Sequence, residues 1–133
     1  MRPIMISRIS VIDSSALLAL LYNKELLKKT QKYFDNSYMS VINASECITI
    51  LNKNGMPIKV AQNLLESIIS KFIPCEYNDV ALIAETQKDN AHLNLSLGDV
   101  ICISLGNKLG LKIITANKTW INVKSNSEII CIG

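Results

Sequence analysis

Three acidic residues occupy comparable places in a sequence that alternates strand-like and helix-like segments. Asp13 closes the β-branched segment RISVID, while Glu46 and Asp99 each lie three residues after a residue that can cap a helix. Each acid is therefore expected at the end of a strand or in the first turn of a helix. In a parallel sheet with right-handed crossovers, several such ends can meet at one edge.

Carboxylates that share a small cleft repel one another, so they either shift their pKa values or hold a cation. A set of oxygen ligands without Cys or His suits Mg²⁺ or Mn²⁺. The single histidine, His92, does not provide a convincing Cys–His or Ser–His system. The chemistry of such a site, if it has any, is therefore expected to be metal-assisted.

Each acid alone also has a structural interpretation. Asp13 could cap the first helix, Glu46 could close an N-x-x-E capping box on Asn43, and Asp99 could be a first-turn acid favoured by the helix dipole. By spacing alone, the catalytic interpretation of the three acids is only suggestive.

The bulk composition indicates one globular domain over residues 1–133. The chain is 49% hydrophobic and 19% charged, which is typical of compact proteins and argues against disorder. Its length allows a real core but not two comfortable domains. The net charge of +3 permits a nucleic-acid partner without arguing for one.

The cysteines and the chain start indicate a cytoplasmic protein. Cys47, Cys75, Cys102 and Cys131 form no CxxC pair, and three of them (47, 102 and 131) lie in apolar runs, so we expect small core residues in a reducing compartment. The opening MRPIMISRIS has no long apolar region, which argues against a signal peptide. No apolar run reaches the roughly 18 residues that a membrane helix needs.

The chain alternates strands and helices throughout. Strands are predicted at 8–13, 38–41, 72–75, 112–116 and 128–132. Helices are predicted at 16–22 after a Ser14-Ser15 cap, 24–34, 43–54, 58–72 with Pro57 at its start, 78–90, and from Ser96 to about Gly110. This alternation favours an α/β fold with a mainly parallel sheet covered on both faces.

The predicted strand at 112–116 runs into a lone amide, Asn117, in the stretch IITANKTW (113–120). Four segments then give the chain a family resemblance: VIDSSALLALL (11–21), SVINASECITIL (40–51), LSLGDVICISLGNKLGLKIITANKTW (95–120) and EIICI (128–132). In these segments the chain resembles PIN-domain ribonucleases, and more narrowly the VapC-type toxins of type II toxin–antitoxin pairs. The resemblance implies a three-layer α/β/α sandwich and an RNA phosphodiester as substrate.

The same resemblance implies an acidic site that binds Mg²⁺ or Mn²⁺. By matching position, the catalytic and metal-binding residues would be Asp13, Glu46, Asp99 and Asn117, and the supporting hydroxyls would be Ser15 and Thr115. The family usually has an aspartate where Asn117 stands. An amide can offer a carbonyl oxygen to a hard cation but no negative charge, so metal binding is expected to be weaker.

The departure at Asn117 leaves a second interpretation open. A catalytically weakened PIN domain could act as a binding module for protein or RNA. A small phosphotransfer domain is less well supported because VIDSS lacks a D-x-D pair, and a Rossmann unit lacks its Gly-rich turn.

The family resemblance also implies two kinds of protein partner. One is a VapB-like antitoxin that lays a helix and a tail into a groove near the first two helices, and the other is a second copy of the chain in a homodimer. The leucine-rich stretches ALLALLY and ELLKK make surplus apolar surface there plausible.

Overall fold

The computed structural model describes residues 8–133. The first seven residues, on which the expectation of no signal peptide mainly rests, lie outside the described residues. Within the described part, no helix is both long enough and apolar enough to cross a membrane.

Five short strands form one sheet in which every pairing is parallel. The strands are β1 (Ser10–Ile12), β2 (Ser37–Ser40), β3 (Lys71–Ile73), β4 (Lys112–Thr115) and β5 (Ile129–Cys131). Their order is β3-β2-β1-β4-β5, so the chain moves outward on one side of β1 and then returns to its other side. The order therefore reverses between β1 and β4, and the carboxyl ends of strands at such a point are where open α/β sheets bind ligands.

Within residues 8–133, six α-helices connect and cover the strands. They are α1 (Ser14–Tyr22), α2 (Lys24–Thr30), α3 (Val41–Lys53), α4 (Ile58–Ile68), α5 (Val80–Asp89) and α6 (Leu97–Leu109). Short 3₁₀ turns at 31–33, 77–79, 91–93 and 118–122 complete the regular structure.

Two hydrophobic cores lie on opposite faces of the sheet. Successive strand residues point to opposite faces, so Ile12 and Ile114 pack under α1, α3 and α4, whereas Val11 and Ile113 pack under α6. Helix α5 packs outside the sheet against α6. The arrangement confirms the α/β/α sandwich and the parallel sheet.

Several helix ends differ from the sequence predictions for local reasons. Helix α1 is capped by Asp13 rather than by Ser14 and Ser15, and α3 begins at Val41, after a Ser40 cap, rather than at Asn43. Pro57 precedes α4 as its cap instead of lying in its first turn.

Two predicted helices are too long. Helix α4 ends at Ile68 because Ile69 has extended backbone angles, so the segment to Phe72 belongs to a turn and to β3. The stretch 24–34 is α-helical only to Thr30 and closes with a 3₁₀ turn. Helix α6 matches its prediction, from the Ser96 cap to Gly110, whose φ of 66° is left-handed and favours glycine.

The prediction that three cysteines are core residues is right for two of them. Cys47 and Cys102 are buried, but Cys131 is exposed. Strand β5 lies at the edge of the sheet, where one flank has no neighbour, so an apolar run there does not ensure burial. All four cysteines are free thiols.

Candidate active site

The predicted acidic residues lie near the N-terminal ends of three helices that begin at the carboxyl edge of the sheet. The expected first-turn position is wrong for Glu46, because α3 begins at Val41 and has no acid in its first turn. Asp13 follows β1 and caps α1, Glu46 lies in α3 after β2, and Asp99 lies in the first turn of α6. Helices α1, α3 and α6 pack against one another or against the central strands. The positive ends of helix dipoles therefore face this edge and tolerate negative charge.

Asp13 is buried and its carboxylate receives several hydrogen bonds. The Ala16 backbone N–H donates to Oδ1 at 2.7 Å, and the Thr115 hydroxyl donates to Oδ2 at 2.6 Å. The Ser15 hydroxyl lies 2.8 and 2.9 Å from the two oxygens and is shared between them. Both predicted supporting residues thus contact Asp13 directly.

The burial of Asp13 has an electrostatic consequence. Removal from water raises its pKa to about 6 from an ordinary 3.8, although the bonds from Thr115, Ala16 and Ser15 act in the opposite direction. The charge of Asp99 also raises this pKa, as the smallest of its causes. A buried acid with a strongly raised pKa at a strand end is a feature of functional sites.

Glu46 is half-buried and is held through one oxygen. Ser14 Oγ donates to Oε1 at 2.7 Å, and Asn43 Nδ2 donates to the same oxygen at 2.9 Å. The alternative of a capping box on Asn43 is not realised, because Ser40 caps α3 and Glu46 bonds the Asn43 side chain instead of its backbone. Glu46 therefore reaches from α3 towards the start of α1.

Asp99 is half-buried and does cap its helix. Its Oδ2 accepts from the Ser96 N–H at 3.0 Å while Ser96 Oγ accepts from the Asp99 N–H at 3.1 Å, which completes a capping box. The structural interpretation of Asp99 is thus correct, and so is that of Asp13 as a cap. The capping role leaves the Asp99 carboxylate with further acceptor positions for a ligand.

Hydrogen bonds connect the surroundings of the three acids, because Ser14 donates to Glu46 and Asn43 donates to both Glu46 and the Gly98 carbonyl. Two buried thiols lie in the same region. Burial raises the pKa of Cys102 well above its usual range, and the charges of Asp13, Asp99 and Glu46 raise it further. Burial raises the pKa of Cys47 to about 12, with added contributions from Asp13 and Glu46. Both thiols are therefore protonated neighbours of an acidic cluster and not nucleophiles.

Asn117 lies beside this cluster but its side chain is engaged locally. Its Oδ1 accepts from the Thr119 N–H at 3.0 Å and from the Thr119 hydroxyl at 2.7 Å, so it caps the 3₁₀ turn at 118–122. Its backbone N–H donates to Thr115 Oγ1 at 3.0 Å. Asn117 is thus connected to Asp13 through Thr115.

The residues present fit a hard cation only as a partial set of ligands. Among residues 8–133, no three Asp, Glu, His or Cys side chains converge closely enough to form a complete metal shell. Mg²⁺ is, however, usually held by one or two carboxylates together with water and substrate phosphate. The buried Asp13 and the half-buried Asp99 match that mode, since a cation would offset the negative charge that raises the Asp13 pKa.

Three residues that shape the site were not predicted as parts of it. The sequence indicates Ser14 and Asn43 only as helix caps and gives no signal for Gly98, yet all three contact Glu46 or its surroundings. A signal existed for Asn43, because residues i and i+3 of a helix share a face. The contacts of Ser14 and Gly98 with Glu46 depend on the fold.

The chain belongs to the PIN domain family, whose pattern matches residues 10–126. The match covers the three acids, both supporting hydroxyls and Asn117. Curated proteins give no match.

Solved structures with the same fold include toxin–antitoxin proteins. A chain of a toxin–antitoxin complex from Klebsiella pneumoniae is 15% identical, with a TM-score of 0.71, and the match covers 93% of this chain and 98% of that one. A chain of DNA-bound VapBC from Salmonella typhimurium is 14% identical, with a TM-score of 0.75 and the same coverages. VapBC-1 from nontypeable Haemophilus influenzae is 14% identical, with a TM-score of 0.71 and again 93% and 98% coverage. These likenesses show a shared fold over nearly the whole chain.

Proposed function

We propose that this chain is a Mg²⁺- or Mn²⁺-dependent endoribonuclease and the toxin of a VapBC-like pair, with residues 1–133 as a single PIN domain. The observation that carries the proposal is that Glu46 is hydrogen-bonded to Ser14, next to Asp13, and to Asn43, which also bonds the Gly98 carbonyl next to Asp99. Membership of the PIN family and the fold shared with VapBC chains support it.

The reaction would be hydrolysis of an RNA phosphodiester bond. When bound, the divalent ion supplies positive charge that stabilises the leaving oxygen and activates water. Asp13 and Asp99 would hold that ion, and Ser15 and Thr115 orient the Asp13 carboxylate. Glu46 would orient the attacking water or hold a second ion, while Asn117 would offer at most a neutral carbonyl oxygen.

RNA cleavage by the purified protein tests the proposal. We expect cleavage with Mn²⁺ by the wild type and its loss in Asp13→Asn and Asp99→Asn. Asp79→Asn is a matched control, since Asp79 also closes a capping box but pairs with Lys108 at the other end of α6. Equal cleavage by wild type, D13N and D99N would overturn the proposal. A wild type that neither binds Mn²⁺ nor cleaves RNA would instead support the binding module.

We propose a VapB-like antitoxin as the protein partner and a homodimer as the assembly. Exposed apolar side chains on the α1–α2 hairpin, Tyr22 and Leu27, support a helix-binding surface near the first two helices. An open apolar groove of about 430 Å³ between α3 and α4 adds a second concave surface. Co-purification with the product of a short adjacent reading frame, and its loss in Tyr22→Lys/Leu27→Lys, would test this surface.

A further inference from the structure

The Glu46 carboxylate is fixed through one oxygen only. Ser14 and Asn43 both donate to Oε1, at 2.7 and 2.9 Å. No side chain or backbone N–H among residues 8–133 donates to Oε2. Oε1 therefore fixes the orientation of the group, while Oε2 accepts no hydrogen bond within residues 8–133 and is the atom that a Cβ at Gly98 would approach most closely.

Asn43 connects Glu46 to the helix that carries Asp99. Its side chain is 1% exposed, and its amide group donates both to Glu46 Oε1 and, at 3.1 Å, to the backbone carbonyl of Gly98. Both partners are acceptors, so only the NH₂ end of the amide can serve them. The carbonyl end accepts from Ser40 Oγ at 2.6 Å. Asn43 is therefore locked between the cap of α3 and the first turn of α6.

Gly98 allows the close approach of α6 and Glu46. A Cβ atom at this position would lie 2.6 Å from Glu46 Oε1 and 2.7 Å from its Cδ, far inside normal contact distance. The backbone of Gly98 is ordinary helix, so the reason for glycine is space and not φ. Because the Glu46 carboxylate ends a flexible side chain, a methyl group here would displace the carboxylate rather than disrupt the helix.

We propose that Asn43 and Gly98 are positioning residues that together set where the Glu46 carboxylate stands relative to Asp99. Asn43 holds the carboxylate by a hydrogen bond, and Gly98 leaves the space into which it fits. The inference rests on the proposed function, because only a site that uses Glu46 makes its placement consequential. Residues behind metal ligands typically change metal affinity by about 10- to 100-fold when mutated.

Gly98→Ala separates positioning from general structure, with Gly106→Ala as its matched control. Both glycines lie in α6, but a Cβ at Gly106 would meet the buried Ile113 side chain in the core. We expect G98A to keep or raise Tm, since alanine favours helix, and to weaken Mn²⁺ binding by about 10-fold or more. We expect G106A to lower Tm and leave the Mn²⁺ Kd unchanged. Wild-type Mn²⁺ affinity in G98A would overturn the proposal.

Asn43→Ala and Asn90→Ala form a second matched pair. Asn43 and Asn90 are each 1% exposed, and each joins distant segments by side-chain hydrogen bonds, but Asn90 bonds Lys124 on the opposite side of the sheet from α3. Both variants should lower Tm, whereas only N43A should weaken Mn²⁺ binding. Equal effects of both variants on the Mn²⁺ Kd would show that Asn43 acts only through stability.

A double-mutant cycle tests whether Gly98 affects Mn²⁺ binding through Glu46. If Gly98 acts through Glu46, then G98A should have no further effect on the Mn²⁺ Kd in a Glu46→Gln background. Additive losses would contradict the inference.

A crystal structure of metal-free G98A tests the positioning without any activity. The Glu46 carboxylate should move by roughly 1 Å or more to restore normal contact with the new methyl group. A carboxylate that stays in place would overturn the inference. If the wild type binds no Mn²⁺ and cleaves no RNA, the proposed function fails, but this displacement is still measurable.

Discussion

The neighbouring strands β1 and β4 both end in a polar residue that caps the next helical segment, yet the two ends differ strongly. After β1, Asp13 is 3% exposed, and its carboxylate accepts hydrogen bonds from the end of β4 and from α1. After β4, Asn117 is half-buried, and within residues 8–133 its side chain accepts only from Thr119, two residues away. One strand end therefore holds a buried charge through distant contacts, while the other holds a neutral amide through local ones.

Thr115 explains how the two ends are connected. Its hydroxyl donates to Asp13 Oδ2 and accepts from the Asn117 N–H, so one side chain serves both. Burial raises the Asp13 pKa, so keeping this carboxylate ionised opposes folding, although the same carboxylate also caps α1. The difference between the two ends supports the proposal that Asp13, rather than Asn117, is the main metal ligand of the site.

Asp13→Asn should have the largest effect on this comparison, because it makes both strand ends neutral. We expect Mn²⁺ binding and RNA cleavage to fall by roughly 100-fold or more, since the buried ligand charge is lost. At pH 7 the free energy of unfolding of the metal-free variant should exceed that of the metal-free wild type by up to about 3 kcal/mol. The reason is that the burial that raises the Asp13 pKa from 3.8 to about 6 no longer opposes folding. Cleavage assays and Mn²⁺ titration check the loss of activity and binding, and calorimetry checks the change in stability. A variant that is both less stable and fully active would contradict the assignment.

The burial of Asp13 should also affect how the free energy of unfolding depends on pH. The pKa of Asp13 is higher in the folded state than in the unfolded state. The stability contribution of this residue to the free energy of unfolding is therefore fully present below about pH 3.8 and is lost as pH rises through about 6. The metal-free wild type should therefore lose stability relative to D13N over this window. Mn²⁺ affinity should rise over the same window because protons compete with the ion. Parallel stability–pH curves for wild type and D13N would mean that Asp13 is not buried as a charge.

The sequence was most informative where the determining contacts are local. Helix α6 was predicted correctly from the Ser96 cap to Gly110 because both end signals lie within the segment itself. The surroundings of Glu46 could not be predicted, since Ser14 is 32 residues away in sequence. Cys131 was placed in the core wrongly because an apolar run does not reveal that its strand lies at a sheet edge.

Thr115→Val should have an intermediate effect, because it removes the connection between the two strand ends while keeping the side-chain shape. Asp13 loses its shortest hydrogen bond, of 2.6 Å, and only Ser15 and the Ala16 N–H, both in α1, remain to orient the carboxylate. We expect Mn²⁺ affinity to fall by about 10-fold, as for other residues that orient metal ligands. Thr119→Val is a control, since Thr119 bonds Asn117 and not Asp13. Equal Mn²⁺ affinities for both variants would show that Thr115 does not act through Asp13.

Asn117→Asp should have the smallest effect, and it reverses the chemical difference between the two strand ends. A carboxylate at 117 can still accept from Thr119 and cap the 3₁₀ turn, so stability should change little while the site gains negative charge. We expect the Mn²⁺ Kd to fall by a few-fold, roughly 2- to 10-fold, because an added carboxylate attracts the cation through partly exposed surroundings. Asn117→Ala separates the two roles, since it removes the cap without adding charge. A titration in which N117D binds Mn²⁺ no more tightly than wild type would mean that Asn117 lies outside the metal shell and serves only the turn.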